Sequence, residues 1–161
     1  LARGGASMRI AGEYLLDAPV ERIWPAIFDP VAWMGLIPGC EQIEQISLDE
    51  YRGRLRIGIA AVAGTYETYV RVLDRREPTA CRMKGEVSGP TGSISGEASF
   101  NLKEVDSQTI LTYEGEAVIG GALGQMSCRF FEGVANTFIQ HGLGKLNKQL
   151  QAGAPTSPGA D

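Results

Sequence analysis

The feature that most constrains the fold is a helical pattern from Gly120 to Gln151, which follows a chain of short alternating segments. Its apolar residues recur every three or four positions, the spacing of one face of an amphipathic helix. A single long helix after a series of strands favours a sheet wrapped around that helix, with a pocket between them. We therefore expect a protein that holds a ligand rather than one built around catalytic side chains. The apolar positions are Leu123, Met126, Phe130, Val134, Phe138, Leu143, Leu146 and Leu150.

The composition argues against several classes of function. With 161 residues, the chain is long enough for one domain with a substantial core. The net charge of −4, from 15 basic and 19 acidic residues, argues against nucleic acid as a partner and against simple electrostatic attachment to anionic lipid. No apolar run approaches the roughly 18 residues of a transmembrane helix, and no secretory signal is visible.

The cysteines and the two chain ends predict the compartment and the domain boundaries. Cys40, Cys81 and Cys128 fit neither a disulfide framework nor a zinc site, so we interpret them as small buried hydrophobic residues in a reducing compartment. The predicted location is therefore the cytoplasm. We interpret residues 1–7 as a cloning remnant, residues 8–151 as a single domain and residues 152–161 as a disordered tail.

The pattern of the domain predicts an α+β fold. Residues 8–16 alternate as a half-buried strand, and two short helices follow, opened by Asp17-Ala18-Pro19 and by Asp29-Pro30. Because Pro25 lies within the first helix, we expect a kink or a split there. Six further strands at a spacing near ten residues, with turns such as Asp106-Ser107, indicate an antiparallel meander before the long helix.

Small residues on the later strands predict an incompletely filled interior. They share the strand parity of large apolar residues and should point inward, where packing normally approaches crystal density. Such positions leave an unfilled cavity or allow a strongly bent sheet, and both can hold at once. A cavity here would have apolar and aromatic walls, suited to a greasy or planar ligand. The small residues are Gly85, Gly96, Ala98, Gly115 and Ala117.

The residues that could carry chemistry are few. The single histidine, His141, falls off the apolar stripe of the long helix and should face solvent, and no metal-ligand spacing is present. Gly120-Gly121 lacks the pattern of a dinucleotide-binding loop and is interpreted as a flexible junction. Tyr14, Tyr66 and Tyr113 are the polar candidates on the inward face. The opposite parity predicts a solvated outer face that carries Glu67, Glu86, Glu97, Glu114 and Glu116, with Arg52, Arg54 and Arg56 as a surface row.

Several short motifs, in order, resemble a known family. The first are Asp17-Ala18-Pro19, Ile23-Trp24, Asp29-Pro30 and Ile37-Pro38-Gly39-Cys40-Glu41, and Gly120-Gly121 precedes the last helix. This order is similar to the START-like ligand-binding superfamily and, within it, to the carbon monoxide dehydrogenase G-subunit family. The resemblance covers Met8 to about Leu150. It implies a helix-grip fold: a curved seven-stranded antiparallel sheet around a long C-terminal helix, with two short helices after the first strand.

The resemblance also implies a role. The family is associated with molybdenum-containing carbon monoxide dehydrogenases and related hydroxylases, in maturation, membrane recruitment or electron hand-over through a bound quinone. It implies no catalytic residue and no obligatory cofactor. It leaves room for a bound quinone or lipid and for peripheral contact with the inner face of the membrane.

Three hypotheses follow from these observations. The first is non-catalytic binding of a hydrophobic small molecule in an internal cavity, in service of a molybdenum-containing dehydrogenase. The second is an enzyme of the polyketide cyclase or dehydratase kind, for which the inward tyrosines are the acid or base candidates. The third is an assembly factor that binds the dehydrogenase through its surface, at Trp33-Met34 or at the arginine row. The predicted cavity residues are Trp33, Leu36, Ile37, Tyr66, Met83, Tyr113, Met126, Phe130 and Phe131.

Overall fold

The structure is a computed structural model and describes residues 6–59, 62–125 and 127–153. Within these ranges, the strands and helices follow one another in the order that the sequence predicts. The strands are β1 Ala6–Leu16, β2 Cys40–Ser47, β3 Glu50–Ile57, β4 Gly64–Arg76, β5 Ala80–Gly89, β6 Gly92–Val105 and β7 Gln108–Gly121. The helices are α1 Val20–Ile27, α2 Pro30–Leu36 and α3 Cys128–Gly153, and a 3-10 turn covers Ala122–Gln125.

The seven strands form one antiparallel sheet in the order β1-β7-β6-β5-β4-β3-β2. β1 and β2 are its two edges, so the sheet is open rather than closed into a barrel. Asp106 and Ser107 form the predicted turn between β6 and β7, with φ values of 53° and 71°. Positive φ at both central residues gives a two-residue turn a twist that matches the flanking strands. The predicted α+β, helix-grip architecture is confirmed.

The first helix is not split at Pro25. Of the predicted kink or split, the split is absent, since α1 is continuous from Val20 to Ile27. Ile23, Trp24 and Ile27 are buried, whereas Pro25 is exposed. A proline inside a helix leaves the carbonyl four residues earlier without its usual donor, and on an exposed face water can replace that donor. The helix therefore tolerates the proline on its solvent side.

The start of the last helix also differs from the prediction. The sequence pattern placed it at Gly120-Gly121, but β7 continues to Gly121 and α3 begins only at Cys128. Gly121 has a φ of +70°, a conformation that glycine adopts at little cost. This turns the chain so that the Leu123 amide donates to the Thr91 carbonyl at 3.1 Å and the Leu123 side chain is buried. Leu123 thus belongs to the 3-10 turn rather than to the helix.

Two hydrophobic clusters fill the two ends of the inward face of the sheet. We call the first the Trp24 cluster; it joins α1, α2 and the second half of α3 to the sheet. We call the second the Tyr66 cluster; it packs the start of α3 and the 3-10 turn against the other end. The buried members of the Trp24 cluster include Leu16, Ile23, Trp24, Ile27, Leu36, Tyr51, Val72, Cys81, Phe100, Leu102, Leu111, Tyr113, Leu146 and Leu150. Those of the Tyr66 cluster are Val62, Tyr66, Ile119, Leu123 and Phe131.

Polar side chains fix α3 along the edge strand β1. The Asp17 amide donates to Asn147 Oδ1 at 2.8 Å, and Gln151 Nε2 donates to Asp17 Oδ2 at 2.7 Å. Nearer the start of the helix, the Arg9 amide donates to Glu132 Oε2 at 3.0 Å. The bond from Arg9 uses a backbone donor that the edge strand would otherwise leave open, and the two bonds at Asp17 join the helix to the residue that follows β1. The helix therefore lies over β1 rather than over the middle of the sheet.

The cysteines only partly match the prediction. All three are free thiols, but only Cys81 is buried; Cys40 and Cys128, at the starts of β2 and α3, are half-buried. In the part of the chain that the structure describes, no helix combines the length and apolar character needed to cross a membrane.

Candidate ligand-binding cavity

A cavity of about 360 Å³, partly open to solvent, lies on the inward face of the sheet between the two clusters. Its floor is formed by the small inward residues of β5, β6 and β7. The register places Gly85 beside Gly96 and Gly96 beside Ala117, and in the next row Ala98 lies beside Gly115. All five line the cavity, as their strand parity predicts. The volume falls at the lower end of the roughly 300–1,000 Å³ that is typical of small-molecule sites.

Two glycines of the floor occupy their positions for different structural reasons. A Cβ on Gly96 would lie 2.1 Å from the Glu116 carbonyl oxygen, so only glycine permits this approach of β6 to β7. A Cβ on Gly85 would meet nothing closer than the Tyr69 oxygen at 3.6 Å, which is ordinary contact. The close approach of β6 to β7 therefore explains Gly96, whereas Gly85 leaves room that a side chain could fill. The predicted open space is present at Gly85.

The ends of α1 and α2 form an aromatic wall beside this floor. Ile27, Phe28 and Trp33 all face the cavity. The indole N–H of Trp33 donates to the Ile27 carbonyl, and the Tyr51 hydroxyl donates to the Phe28 carbonyl at 2.9 Å. The Arg75 guanidinium lies 4.4 Å from the centre of the Phe28 ring. These contacts hold the two aromatic rings in place, which favours a preformed site.

Of the nine predicted cavity residues, three line the cavity: Trp33, Ile37 and Met83. Met126 lies outside the described residues. The other five lie elsewhere, in the hydrophobic clusters. For Phe130 and Phe131 the reason is that α3 packs along β1 and its first turns reach the Tyr66 cluster instead of the floor. Within the described residues, the cavity wall includes no part of α3. These five residues are Leu36, Tyr66, Tyr113, Phe130 and Phe131.

The two inward tyrosines are engaged by the protein itself. The Tyr66 hydroxyl donates to the Val62 carbonyl at 2.7 Å and lies 3.0 Å from Thr91 Oγ1. The Tyr113 hydroxyl lies 3.3 Å from Asn136 Oδ1 and accepts from Gln140 Nε2 at 3.1 Å. Each ring also packs on a glycine of a neighbouring strand, where the absence of a side chain leaves room for the ring. Their hydroxyls therefore tie the sheet to neighbouring segments rather than face the cavity.

The wall of the cavity is almost wholly apolar. Partial burial raises the pKa of the Cys40 thiol, and desolvation likewise raises the pKa of the Tyr51 hydroxyl, so both stay neutral at pH 7. Charged residues border the floor, but they alternate with the inward small residues and point their side chains to the outer face. This wall suits an apolar body more than acid–base chemistry. The charged residues concerned are Lys84, Glu86, Glu97 and Glu116.

Sequence reasoning missed the contribution of β2, β3 and β4 to the wall. Gly53 and Thr68 are paired across β3 and β4 and both line the cavity. The strand parity could have found them, since Gly53 lies between the inward residues Tyr51 and Leu55. Ile27 and Phe28 end the first helical segment, and no local signal in the sequence shows that they border a cavity.

The outer face matches the prediction of a solvated surface. Arg82 pairs with Glu97 at 3.0 Å, and Arg54 pairs with Glu67 at 3.3 Å, with all four side chains about half exposed. His141 is exposed, as predicted. Among the described residues, no group of three or more histidine, cysteine or acidic side chains is arranged to hold a metal ion.

Solved structures share this architecture. A conserved protein from Geobacillus kaustophilus is 30% identical, with a TM-score of 0.85 over 91% of this chain and 96% of that one. A START superfamily protein from Mycobacterium smegmatis is 12% identical, with a TM-score of 0.68 over 92% and 99% of the two chains. The Zhui aromatase/cyclase from Streptomyces sp. R1128 is 14% identical, with a TM-score of 0.64 over 93% and 99%. The last two likenesses concern the fold alone.

No curated protein gives a significant match. The sequence profile of the CoxG family, described as the G-subunit of carbon monoxide dehydrogenase, matches residues 12–151, which include the end of β1, all of β2 to β7, α1 and α2, and nearly all of α3. The chain therefore belongs to the CoxG family, the carbon monoxide dehydrogenase G-subunit family.

Proposed function

We propose that this protein binds a hydrophobic small molecule, a quinone or a lipid-like compound, without transforming it. The observation that carries the proposal is the apolar cavity of about 360 Å³ between two well-packed clusters. Interiors normally pack to crystal density, and an apolar space of this size open to solvent gains stability when an apolar ligand displaces water from it. In the family context, the protein would serve as an accessory subunit of a molybdenum hydroxylase of the carbon monoxide dehydrogenase type, in maturation or in recruitment for electron transfer.

The alternative, an enzyme of the polyketide cyclase or dehydratase kind, has less support. General acid–base catalysis needs a titratable group within hydrogen-bond reach of the substrate. Tyr66 and Tyr113, the candidates for that role, hold bonds to Val62, Asn136 and Gln140 and lie away from the cavity wall. The neutral thiol of Cys40 and the apolar surroundings favour binding over catalysis.

The experiment begins with native mass spectrometry of gently purified protein, followed by organic extraction of any released compound. Uptake of short-chain benzoquinones and naphthoquinones by apoprotein is then measured by equilibrium dialysis. We expect a stoichiometric ligand or uptake with one site per chain. A clean apo mass together with no uptake from any quinone or fatty acid would contradict the proposal.

A matched pair of variants localises the site. Gly85→Val should abolish uptake, because its side chain enters open space above the floor. Ser88→Val is the control on the same strand, since Ser88 is exposed on the outer face. Equal loss in both variants, or uptake unchanged in Gly85→Val, would contradict the assignment of this cavity.

The role as an accessory subunit needs a separate test. Co-purification with a molybdenum-containing dehydrogenase from the native host should recover this chain, in the cytoplasm and in part at the inner face of the membrane. The exposed α2 residues Val31 and Met34, next to Trp33 in the cavity wall, are candidates for that contact. Val31→Asp should then reduce co-purification while leaving ligand uptake intact.

A further inference from the structure

The outer face of the sheet carries a row of charged residues. In the described part of the chain, the helices pack on the inward face, so no layer covers the outer one. The register aligns one outward residue from each of six strands into what we call the central charge row. All of its members except Glu50 are exposed. From β3 across to β1, they are Glu50, Arg71, Lys84, Glu97, Glu116 and Arg9.

The charges of this row are opposite about its midpoint, which is the boundary between β5 and β6. From β3 to β1 they are negative, positive, positive, negative, negative and positive. Each residue on one side of the boundary therefore has a residue of opposite charge at the same distance on the other side. The three matching pairs are Lys84 with Glu97, Arg71 with Glu116, and Glu50 with Arg9.

Two neighbouring pairs within the row carry like charges. Arg71 lies directly opposite Lys84, and Glu97 lies directly opposite Glu116. Like charges at such positions of a sheet are destabilising. Ion pairs at 3.0 and 3.6 Å join the two glutamates to arginines of neighbouring strands, but all of these side chains are at least half exposed, and exposed pairs contribute little. The basic pair and the acidic pair therefore each attract an external group of opposite charge.

The two halves of the outer face also differ in shape. A shallow groove of about 710 Å³ lies over β1, β6 and β7, around the acidic pair. Small outward side chains such as Ser95 and Ser99 line it. The basic pair on β4 and β5 consists of long, exposed side chains. A copy of the basic half can therefore enter the groove of the acidic half.

We propose that the outer face is the interface of a symmetric homodimer, in which the central charge row of one chain lies over that of a second copy. A two-fold axis parallel to the strands, over the boundary between β5 and β6, places β5 of one chain on β6 of the other and β4 on β7. The three matching pairs then meet, twice each. A two-fold interface must be self-complementary in this way, and packed sheets keep their strands within about 30° of each other. Both cavities stay accessible, because they lie on the inward faces.

The positions beside the row fit the same arrangement. In the next row, Tyr69 on β4 lies over Val118 on β7, whose side chain is 53% exposed in the single chain. Glu86 lies over Ser95 there, so no like charges meet. On the other side of the central row, a bulge after Val72 ends the regular register of β4. A second copy supplies both charge signs at the spacing of the strands, whereas a uniformly acidic or basic partner would match only one half.

The test uses the full chain and two charge reversals. Arg71→Glu and Glu116→Arg each bring like charges together twice in the dimer, so each variant alone should shift from dimer to monomer. In an equimolar mixture the charges are opposite again, and a heterodimer should form. Within one chain the two positions lie three strand spacings apart, about 14 Å, so a contact inside the chain cannot restore the attraction. Sedimentation velocity measures the assembly, and native mass spectrometry identifies the mixed species.

Three controls accompany these variants. Each reversal exchanges one like-charge neighbour in the sheet for another, so the circular dichroism spectrum and the urea midpoint should match those of the unaltered protein. Lys103→Glu reverses an exposed charge of β6 outside the central charge row and should leave the dimer intact. At about 1 M salt the screening length falls to about 3 Å, so the unaltered dimer should dissociate.

The heterodimer is the decisive result, since it requires the two rows to face each other. A dimer of the unaltered chain, monomers of each variant and a heterodimer in their mixture would support the interface. A monomeric unaltered chain at low salt would overturn it. The same conclusion would follow if either variant alone formed dimers, if the mixture stayed monomeric, or if Lys103→Glu dissociated the dimer.

Discussion

The two ends of the sheet and its middle use the same inward strand positions but are filled differently. In the Trp24 cluster, Cys81 on β5 faces Phe100 on β6, and Trp24 packs on Phe100 with a ring separation of 6.1 Å. A few residues further along the same strands, the facing pair is Gly85 and Gly96. The backbone ladder is continuous through both regions. The volume of the inward side chains therefore determines which part of the sheet face is a packed core and which part borders a cavity.

Removing a large side chain from the Trp24 cluster should change the free energy of unfolding more than any other substitution considered below. Trp24→Ala deletes a buried ring that also contacts Phe28 at 4.9 Å, and it should lower the free energy of unfolding by about 3–5 kcal/mol. Urea denaturation followed by circular dichroism measures the change. Val31→Ala, at an exposed position of α2, is the control and should fall within about 0.5 kcal/mol of the unaltered protein. A loss below about 1 kcal/mol for Trp24→Ala would mean that this end is not tightly packed.

The second largest change in stability should come from adding a side chain where β6 closely approaches β7. Gly96→Ala places a Cβ against the Glu116 carbonyl oxygen and forces β6 and β7 apart, so we expect a loss of about 1–3 kcal/mol. Ser95→Ala, the exposed neighbour on the same strand, controls for strand propensity. If Gly96→Ala is as stable as Ser95→Ala, the approach of β6 to β7 does not require glycine at position 96.

Adding a methyl group at Gly85, above the open floor, should instead raise the free energy of unfolding. Gly85→Ala meets only ordinary contacts, and alanine loses less backbone entropy than glycine on folding. We expect the free energy of unfolding to rise by about 0.5–1 kcal/mol in the same urea experiment. Destabilisation as large as that of Gly96→Ala would indicate that the middle of the sheet is filled in solution.

At pH 7 the smallest effect comes from the titration of Cys81 in the filled end, because its contribution to the pH dependence of stability begins only near pH 9. Desolvation by burial raises the pKa of this thiol to about 11 from the usual 9.0. The unfolded chain therefore loses this proton first, and the free energy of unfolding should fall as the pH rises from 9 to about 11. The measurement is the urea midpoint at a series of pH values from about 8 to about 10.5 for the unaltered protein and for Cys81→Ala. Because burial also raises the pKa of Tyr51 and so adds its own pH dependence in both proteins, the difference between the two slopes is the readout. Parallel slopes would contradict the predicted shift.

The sequence predicted the architecture better than the site because the two depend on different information. Strand parity has a period of two residues and is readable locally, so the inward position of Gly85 and Ala117 followed without any tertiary contact. The nine cavity residues required knowledge of which helix covers which strands. Phe130 and Phe131 carry the right chemistry, but α3 holds them in the Tyr66 cluster, where Phe131 is buried.

By itself, the sequence determined the order of strands and helices, the antiparallel sheet and the row of small residues on its inward face. Each of these follows from the volume and spacing of residues close together in the chain. Only the tertiary structure decided that α3 lies along β1, that Tyr66 and Tyr113 bond to the protein rather than to the cavity, and that charged residues of six strands align in the central charge row. Those arrangements join residues from distant parts of the chain, and long-range packing, rather than local periodicity, selects among them.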